Sequence, residues 1–423
     1  MRILREGGWA GIGQAGLALF GLATTRVLTE LMPAEAFGHY ALTLGLVALA
    51  AGLFGTPLLQ AMLRAIPDAR LNGAIPALRA EVARMLARRW AAAAVLILCG
   101  AASAWLAGVL PSSALPVLCA APLLLMAELI RSYDTNLLNA DRAQARAALR
   151  LVLDALGRFT GAVAAAGALV PHAAAAVSGL AAGSLAVSAG SRRFPAIGPA
   201  RVHGGPFDTA RFRPGLLDYA RPLVPVALFA WLTALGDRYV LGLTVGAGAA
   251  GLYAAAYGIA SQPFSAANLV IVSTLRPLLF DAAAAGNRTR ERFVFLRWLA
   301  LAAGVSAAGA LIARLCAGPI ARLALGEDYR GGAVPLIPVI ASAYAVQNVQ
   351  QAFETLLLAH AKTGRLAMLQ GVGAALSVAL YAALIPWWGL AGAAYATLAS
   401  FVLSGLLTAG ASLPLLAGGG DHQ

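Results

Sequence analysis

Apolar runs of about 20 residues recur along the whole chain, parted by short polar segments, and each is long enough to cross a hydrocarbon layer as a helix. In lipid the backbone has to satisfy its own hydrogen bonds, so such runs are read as helices. The pattern predicts twelve spans, near 8–30, 39–60, 90–110, 115–140, 151–170, 173–190, 222–245, 251–275, 298–316, 333–359, 366–386 and 390–412. Proline and glycine mark several junctions: Pro33, Pro111, Pro171, Pro319 and Pro386-Trp387-Trp388-Gly389. The longest polar stretch, 191–217, contains Pro195, Pro199, Gly204-Gly205-Pro206 and Pro214. It reads as a cytoplasmic linker between two six-span lobes, 1–190 and 218–423.

Composition agrees with this class. Of 423 residues, 60% are hydrophobic and 12% charged, with a mean hydropathy of +0.77. The net charge of +13 invites a nucleic-acid partner, but its distribution argues against one. Counted along the predicted topology, 24 of the 31 basic residues lie at the N-terminus and in alternate inter-span segments, against three on the other side, Arg314, Arg322 and Arg330. That asymmetry predicts both termini in the cytoplasm. Met1-Arg2-Ile3-Leu4-Arg5 precedes a full-length apolar run, so the first run reads as a retained span and not a cleaved signal. Six spans per lobe send both lobes into the membrane in the same direction, as in transporters built from parallel repeats. The 46 glycines suit close helix packing. Cys99, Cys119 and Cys316 have no pairing or ligand spacing, so they read as small core residues, with no disulfide or metal.

Polar groups inside the spans are the functional candidates, because burying them in hydrocarbon is costly. An arginine followed 12 or 13 residues later by Gly-x-Tyr-Ala occurs once in each half: Arg26 with Gly38-His39-Tyr40-Ala41, and Asp237-Arg238 with Gly251-Leu252-Tyr253-Ala254. Two readings are open. The guanidinium groups line a cavity and meet an anionic ligand, or each snorkels to the outer interface or pairs locally, Arg26 with Glu30 and Arg238 with Asp237. In the fourth span Glu128, Ser132, Thr135, Asn139 and Arg142 share one helix face, flanked by Arg131 and Asp134. Such a stripe faces either a wet cavity or another helix. Asp154 and Arg158 are spaced for an i,i+4 pair within the fifth span. Tyr253, Tyr257, Ser261, Ser265 and Asn268 form a stripe in the eighth span, and Gln347, Gln351 and Glu354 one in the tenth. Neutral donors and acceptors beside aromatic rings suit a hydroxyl-rich ligand such as a sugar; alternatively they bond across helices.

Catalytic and nucleotide motifs are missing: there is no phosphate-binding Gly-rich loop ending in Lys-Ser/Thr, no His-Glu-x-x-His and no Gly-x-Ser-x-Gly. Neither an enzyme nor a resident cofactor is expected. Tyr219-Ala-Arg-Pro-Leu-Val-Pro225, Trp231 through Asp237-Arg238-Tyr-Val-Leu-Gly242, and Gly251-Leu-Tyr-Ala-Ala-Ala-Tyr257 resemble the seventh and eighth spans of bacterial polysaccharide-biosynthesis membrane proteins. These are the Wzx-type flippases of the multidrug/oligosaccharidyl-lipid/polysaccharide exporter superfamily. Ile385 through Ser400 resembles that family's eleventh-to-twelfth junction, and Arg26-Val-Leu through Phe37-Gly-His-Tyr40 its first. The resemblance implies an all-α fold of two six-helix lobes around a central cavity, in the bacterial inner membrane. It also implies alternating access and a lipid-linked oligosaccharide carried on undecaprenyl pyrophosphate, with membrane lipid and other glycan-assembly proteins as partners. It carries substrate binding over to Arg26 and Arg238. Asp237, Glu128, Arg131, Tyr253, Tyr257, Gln347, Gln351 and Glu354 are candidates from their position beside those arginines or on the polar stripes. Two rival functions are a cation-coupled drug exporter of the same superfamily, using Glu128, Asp134, Asp154 or Glu354, and a membrane glycan polymerase. The short outer segments disfavour the polymerase.

Overall fold

The computed structural model describes residues 2–141, 143–168, 173–193 and 212–417. Arg142, His172, His203 and most of the predicted linker lie outside these residues. Among the described residues the secondary structure is helical throughout, and the chain divides into two compact units, Met1–Trp231 and Leu232–Gln423.

Unit 1 runs through α1 (Arg2–Leu31), α2 (Ala34–Ala50), α3 (Thr56–Leu71), α4 (Ile75–Leu106), α5 (Leu115–Ala140), α6 (Gln144–Ala168), α7 (Ala173–Arg193), the short α8 (Arg213–Ala220) and the start of α9 (Leu223–Thr244). Unit 2 contains the rest of α9, then α10 (Ala247–Ala284), α11 (Arg288–Leu315), α12 (Ala317–Ala324), α13 (Glu327–Ala333), α14 (Leu336–Ala359) and α15 (Thr363–Ala417). Nine helices among the described residues are long and apolar enough to cross a membrane, and the pair α13–α14, bent by 61°, makes a tenth. The predicted spans lie on single helices to within a few residues, except 39–60, which runs through α2, a π-helical segment Ala51–Gly55 and the start of α3, counted together as one span Ala34–Leu71. α1 overlies the first, and α15 carries the last two.

α15 breaks at Gly389, whose φ of 54° and ψ of −125° leave the helical region. Positive φ is cheap only without a Cβ, which explains the glycine after Pro386-Trp387-Trp388. Three residues on, a methyl at Gly392 would collide with the Leu384 carbonyl, so the two arms of the break pass too closely for any side chain.

The helices overrun the predicted spans where basic residues were expected in loops. α3 continues to Leu71 and α4 begins at Ile75, joined through Gly73 at φ +62°. Arg64, Arg70, Arg79, Arg84, Arg88 and Arg89 therefore stand on helices. The 276–297 segment behaves likewise: α10 runs to Ala284, and Asn287 caps α11 by accepting the Arg290 backbone N–H at 2.9 Å. Charged residues form helix as readily as apolar ones, so a drop in hydropathy does not end the hydrogen-bond ladder.

Packing within each unit follows from small and apolar residues. Gly157 and Gly161 of α6 face Gly179 and Gly183 of α7 so closely that a methyl on Gly161, Gly179 or Gly183 would overlap a backbone carbonyl of the other helix. This is the backbone approach that small residues permit in membrane bundles. In unit 2 an apolar core of Leu275, Leu279, Phe295, Trp298 and Leu356 ties α10, α11 and α14 together. One packing expectation is corrected. Cys99, Cys119 and Cys316 are exposed on the protein surface and are not core residues. A thiol in a spanning segment is as well solvated by lipid tails as by a protein interior, so apolarity does not force it inward.

Candidate functional site

Charge in unit 1 collects where α5, α6 and α7 meet. Glu128 of α5 is held by two arginines. Arg131, one turn on, reaches both carboxylate oxygens, with Nε 3.2 Å from Oε2. Arg158 of α6 donates Nη1 to Oε2 at 2.9 Å. Deeper in the unit, Arg150 donates Nη2 to Asp134 Oδ2 at 2.7 Å and to Ser188 Oγ at 3.1 Å, and Nη1 to Ser191 Oγ. Asp154 Oδ1 accepts from Ser184 Oγ at 2.5 Å, while its Oδ2 lies 3.9 Å from Arg131 Nε. Three carboxylates thus face three guanidinium groups on α5 and α6, and Arg192 of α7 adds positive charge near Asp134 and Arg150.

This arrangement revises two expectations. Asp154 and Arg158 do not pair along their own helix. Each turns to another helix, because α5 offers Glu128 and α7 offers Ser184 at closer range. Arg150, counted among inner-loop charges, is fully buried; it is drawn in by Asp134 and the α7 serines. The stripe Ser184, Ser188, Ser191 repeats at helical spacing in an apolar run, so a period search of α7 finds it.

Arg26 stands apart from this cluster. Its Nη1 lies 2.5 Å from Glu30 Oε2 one turn on, an ion pair outside hydrogen-bond alignment, and both side chains are partly exposed.

In unit 2 the second copy of the signature is built differently. Asp237 is fully buried in α9, yet neutral donors satisfy it. Tyr253 Oη donates to Oδ2 at 2.7 Å, Thr397 Oγ1 to the same oxygen at 3.1 Å, and the Arg238 backbone N–H to Oδ1 at 2.8 Å. The Arg238 guanidinium turns away and stacks on the Tyr257 ring, 4.5 Å from its centroid. Among the described residues its side chain meets no carboxylate within ion-pair distance, and Nε is buried without a hydrogen-bond partner. Tyr253, Tyr257 and Tyr344 form a ladder with centroids 5.7 and 5.5 Å apart, and Phe401 extends it. Tyr344 Oη donates to Tyr257 Oη at 2.9 Å. The sequence reading brought out Tyr253 and Tyr257 and missed Tyr344, Thr397 and Tyr381, which bonds the Thr233 carbonyl at 3.0 Å. Tyr344 shares the stripe of Gln347 and Gln351, and spacing alone reveals it. Thr397 sits in an apolar run with no pattern to mark it.

Glu354 forms a second polar group on α14. Gln350 Nε2 donates to Oε1 at 2.9 Å and Gln351 Nε2 to Oε2 at 3.3 Å. Gln347 is half-buried one turn earlier and joins neither group.

The family model described as polysaccharide biosynthesis protein matches residues 3–283. No curated protein matches the sequence. Among solved structures, an inward-facing multidrug resistance MATE family transporter of the MOP superfamily superposes with a TM-score of 0.76 at 13% identity, covering 95% of this chain and 94% of that one. The lipid II flippase MurJ, in an inward closed conformation, gives 0.72 at 11% identity over 95% and 86%. A MOP superfamily transporter from Pyrococcus furiosus gives 0.64 at 14% identity over 98% and 95%. The fold shared with these structures is that of multi-pass MOP-superfamily transporters.

Proposed function

This chain belongs to the polysaccharide biosynthesis protein family, and we propose that it flips an oligosaccharide linked to undecaprenyl pyrophosphate across the bacterial inner membrane. The observation that carries this reading is Arg238. A guanidinium in a spanning helix, stacked on Tyr257 and matched by no carboxylate among the described residues, holds its positive charge ready for an anion from outside the protein. A planar donor fork fits a phosphate oxygen pair, and a guanidinium in a spanning helix that makes no hydrogen-bonded ion pair among the described residues, although Asp237 is its neighbour in the chain, is otherwise costly. The tyrosine ladder beside it offers faces and hydroxyls to a glycan. A lipid II flippase shares the fold, so a lipid-linked cargo is within its compass. On this reading 1–190 and 218–423 act as two lobes joined by 191–217, both termini are cytoplasmic, and the cycle is alternating access.

The test is charge-neutralising replacement. Arg238→Gln, alone and with Arg26→Gln, is expected to abolish glycan export in cells while the protein stays folded in the membrane. Undiminished export by the double variant would falsify the pyrophosphate role.

A second reading has its own observation. Asp237 and Glu354 are carboxylates hydrogen-bonded only to neutral groups, as a cation-coupled drug exporter needs. A drug-susceptibility panel separates the two: broad, cation-dependent resistance conferred by the chain would favour the exporter.

A further inference from the structure

The ion pairs of unit 1 are not equally sealed. Asp134, Arg150 and Asp154 expose 1–6% of their side chains, whereas Glu128, Arg131 and Arg158 expose 20–23%. The half-open part also brings two guanidinium groups onto one carboxylate, as Arg70 and Arg79 are brought onto Asp141 elsewhere in the unit. Glu128 receives its two from two helices, with Oε2 shared between Arg131 Nε and Arg158 Nη1. Two forks closing on one oxyanion is how arginines recognise phosphate and pyrophosphate.

The geometry points to Arg131 and Arg158 as a phosphate clamp whose resting occupant is the Glu128 carboxylate, displaced when the pyrophosphate of a lipid-linked substrate arrives. This deepens the flippase reading and rests on it. A carboxylate spreads one charge over two oxygens. A pyrophosphate spreads more charge over more oxygens and spans both forks at once. Glu128 offsets that advantage because it is tethered to α5 and therefore competes at high effective concentration. The competition keeps binding weak enough for release, and the two arginines are never left bare in lipid between cargoes. The sealed pair Asp134–Arg150 links α5 to α6 whether the clamp is occupied or not, so the forks keep their spacing. Asp154 Oδ2, 3.9 Å from Arg131 Nε and without a hydrogen bond among the described residues, remains beside Arg131 as counter-charge when Glu128 leaves.

The experiment uses the full chain in lipid nanodiscs, with inorganic pyrophosphate and farnesyl diphosphate as probes and sodium chloride as an ionic-strength control. Glu128→Gln removes the competing charge and keeps the shape. It is expected to bind both probes about tenfold tighter or more, since a tethered competitor acts at millimolar effective concentration, and to gain a larger probe-induced rise in melting temperature. Adding Arg158→Gln should cancel the gain. A Glu128→Gln protein that melts lower and binds no tighter would overturn the clamp and leave the cluster a structural strut. Arg158→Gln in the otherwise wild-type chain is an independent check should Glu128→Gln fail to fold: probe binding should fall, and unchanged binding overturns the proposal. Flipping of a lipid-linked oligosaccharide by the reconstituted wild-type chain reads the parent function separately. Flipping with no gain in Glu128→Gln sinks only the clamp, and a gain with no flipping sinks only the cargo assignment.

Discussion

The two copies of the arginine signature look alike in sequence and differ in what surrounds them. Arg26 leans on Glu30 of its own helix and is partly exposed. Arg238 meets the adjacent Asp237 only through its backbone N–H, while its guanidinium stacks on Tyr257 and forms no ion pair with a carboxylate among the described residues. The contrast extends to each unit. The unit 1 cluster sets three arginines against three carboxylates across α5 and α6, with the serines of α7 completing their hydrogen bonds. Around its copy of the signature unit 2 keeps its charges apart, with Asp237 served by hydroxyls, Glu354 by amides and Arg238 on an aromatic face, whereas Glu291 pairs with His360 elsewhere in the unit. A paired cluster holds helices together, while an unpaired charge is kept for something else. Repetition in sequence thus marks equivalent places in two units without assigning them one task.

The deepest cut at this contrast is through the packing beneath the unit 1 cluster. Gly183→Val drives a branched side chain into the backbone of α6. Overpacking against a carbonyl that cannot yield is expected to cost on the order of 4 kcal/mol or more, and size-exclusion profiles of the solubilised variant should show most of the folded protein lost. A normal profile would mean that the α6–α7 approach does not support the cluster.

Arg150→Met comes next, because it takes from the buried Asp134 a guanidinium hydrogen-bonded to it. The expected loss is about 3–5 kcal/mol, seen as a lowered melting temperature, and adding Asp134→Leu should recover most of it. Arg238→Gln offers the sharp comparison: it should move the melting point far less than Arg150→Met, although it is expected to stop export. Equal destabilisation by both would erase the distinction between the units.

Tyr253→Phe removes a neutral donor from the buried Asp237 carboxylate and should cost about 1.5–3 kcal/mol, the range for a hydrogen bond to a charged group. Thermal unfolding of this variant measures how much of unit 2 depends on hydroxyl donors in place of ion pairs. Arg26→Gln should have the smallest effect on stability, within about 0.5 kcal/mol, as for an exposed i,i+4 pair. Melting as far as Arg150→Met would show that Arg26 is bound into the unit 1 core after all.

Much of the fold was legible because its signal is local. α5 begins and ends where the apolar run 115–140 does, and α9 lies within a residue of 222–245 at either end. α8, α12 and α13 escaped, since seven or eight residues between spans carry too few apolar positions to show a period. Of the site, the face bearing Glu128 and the tyrosines of α10 were visible as stripes. Thr397 and the fate of Arg150 were not, because what marks them is a partner on another helix.

By itself, then, the sequence determined that the chain is a membrane-embedded helical protein, where its helices run and which positions along them are polar. Those properties follow from transfer free energies and a 3.6-residue period, both of which act within one segment. Only the tertiary structure decided which charges cancel. Glu128 has Arg131 on its own helix and Arg158 thirty residues away, Asp154 turns from Arg158 to Ser184, and the Asp237 carboxylate bonds Tyr253 and Thr397 and not the Arg238 guanidinium. Ion pairing depends on distance and orientation between helices, and hydropathy along one helix does not encode either.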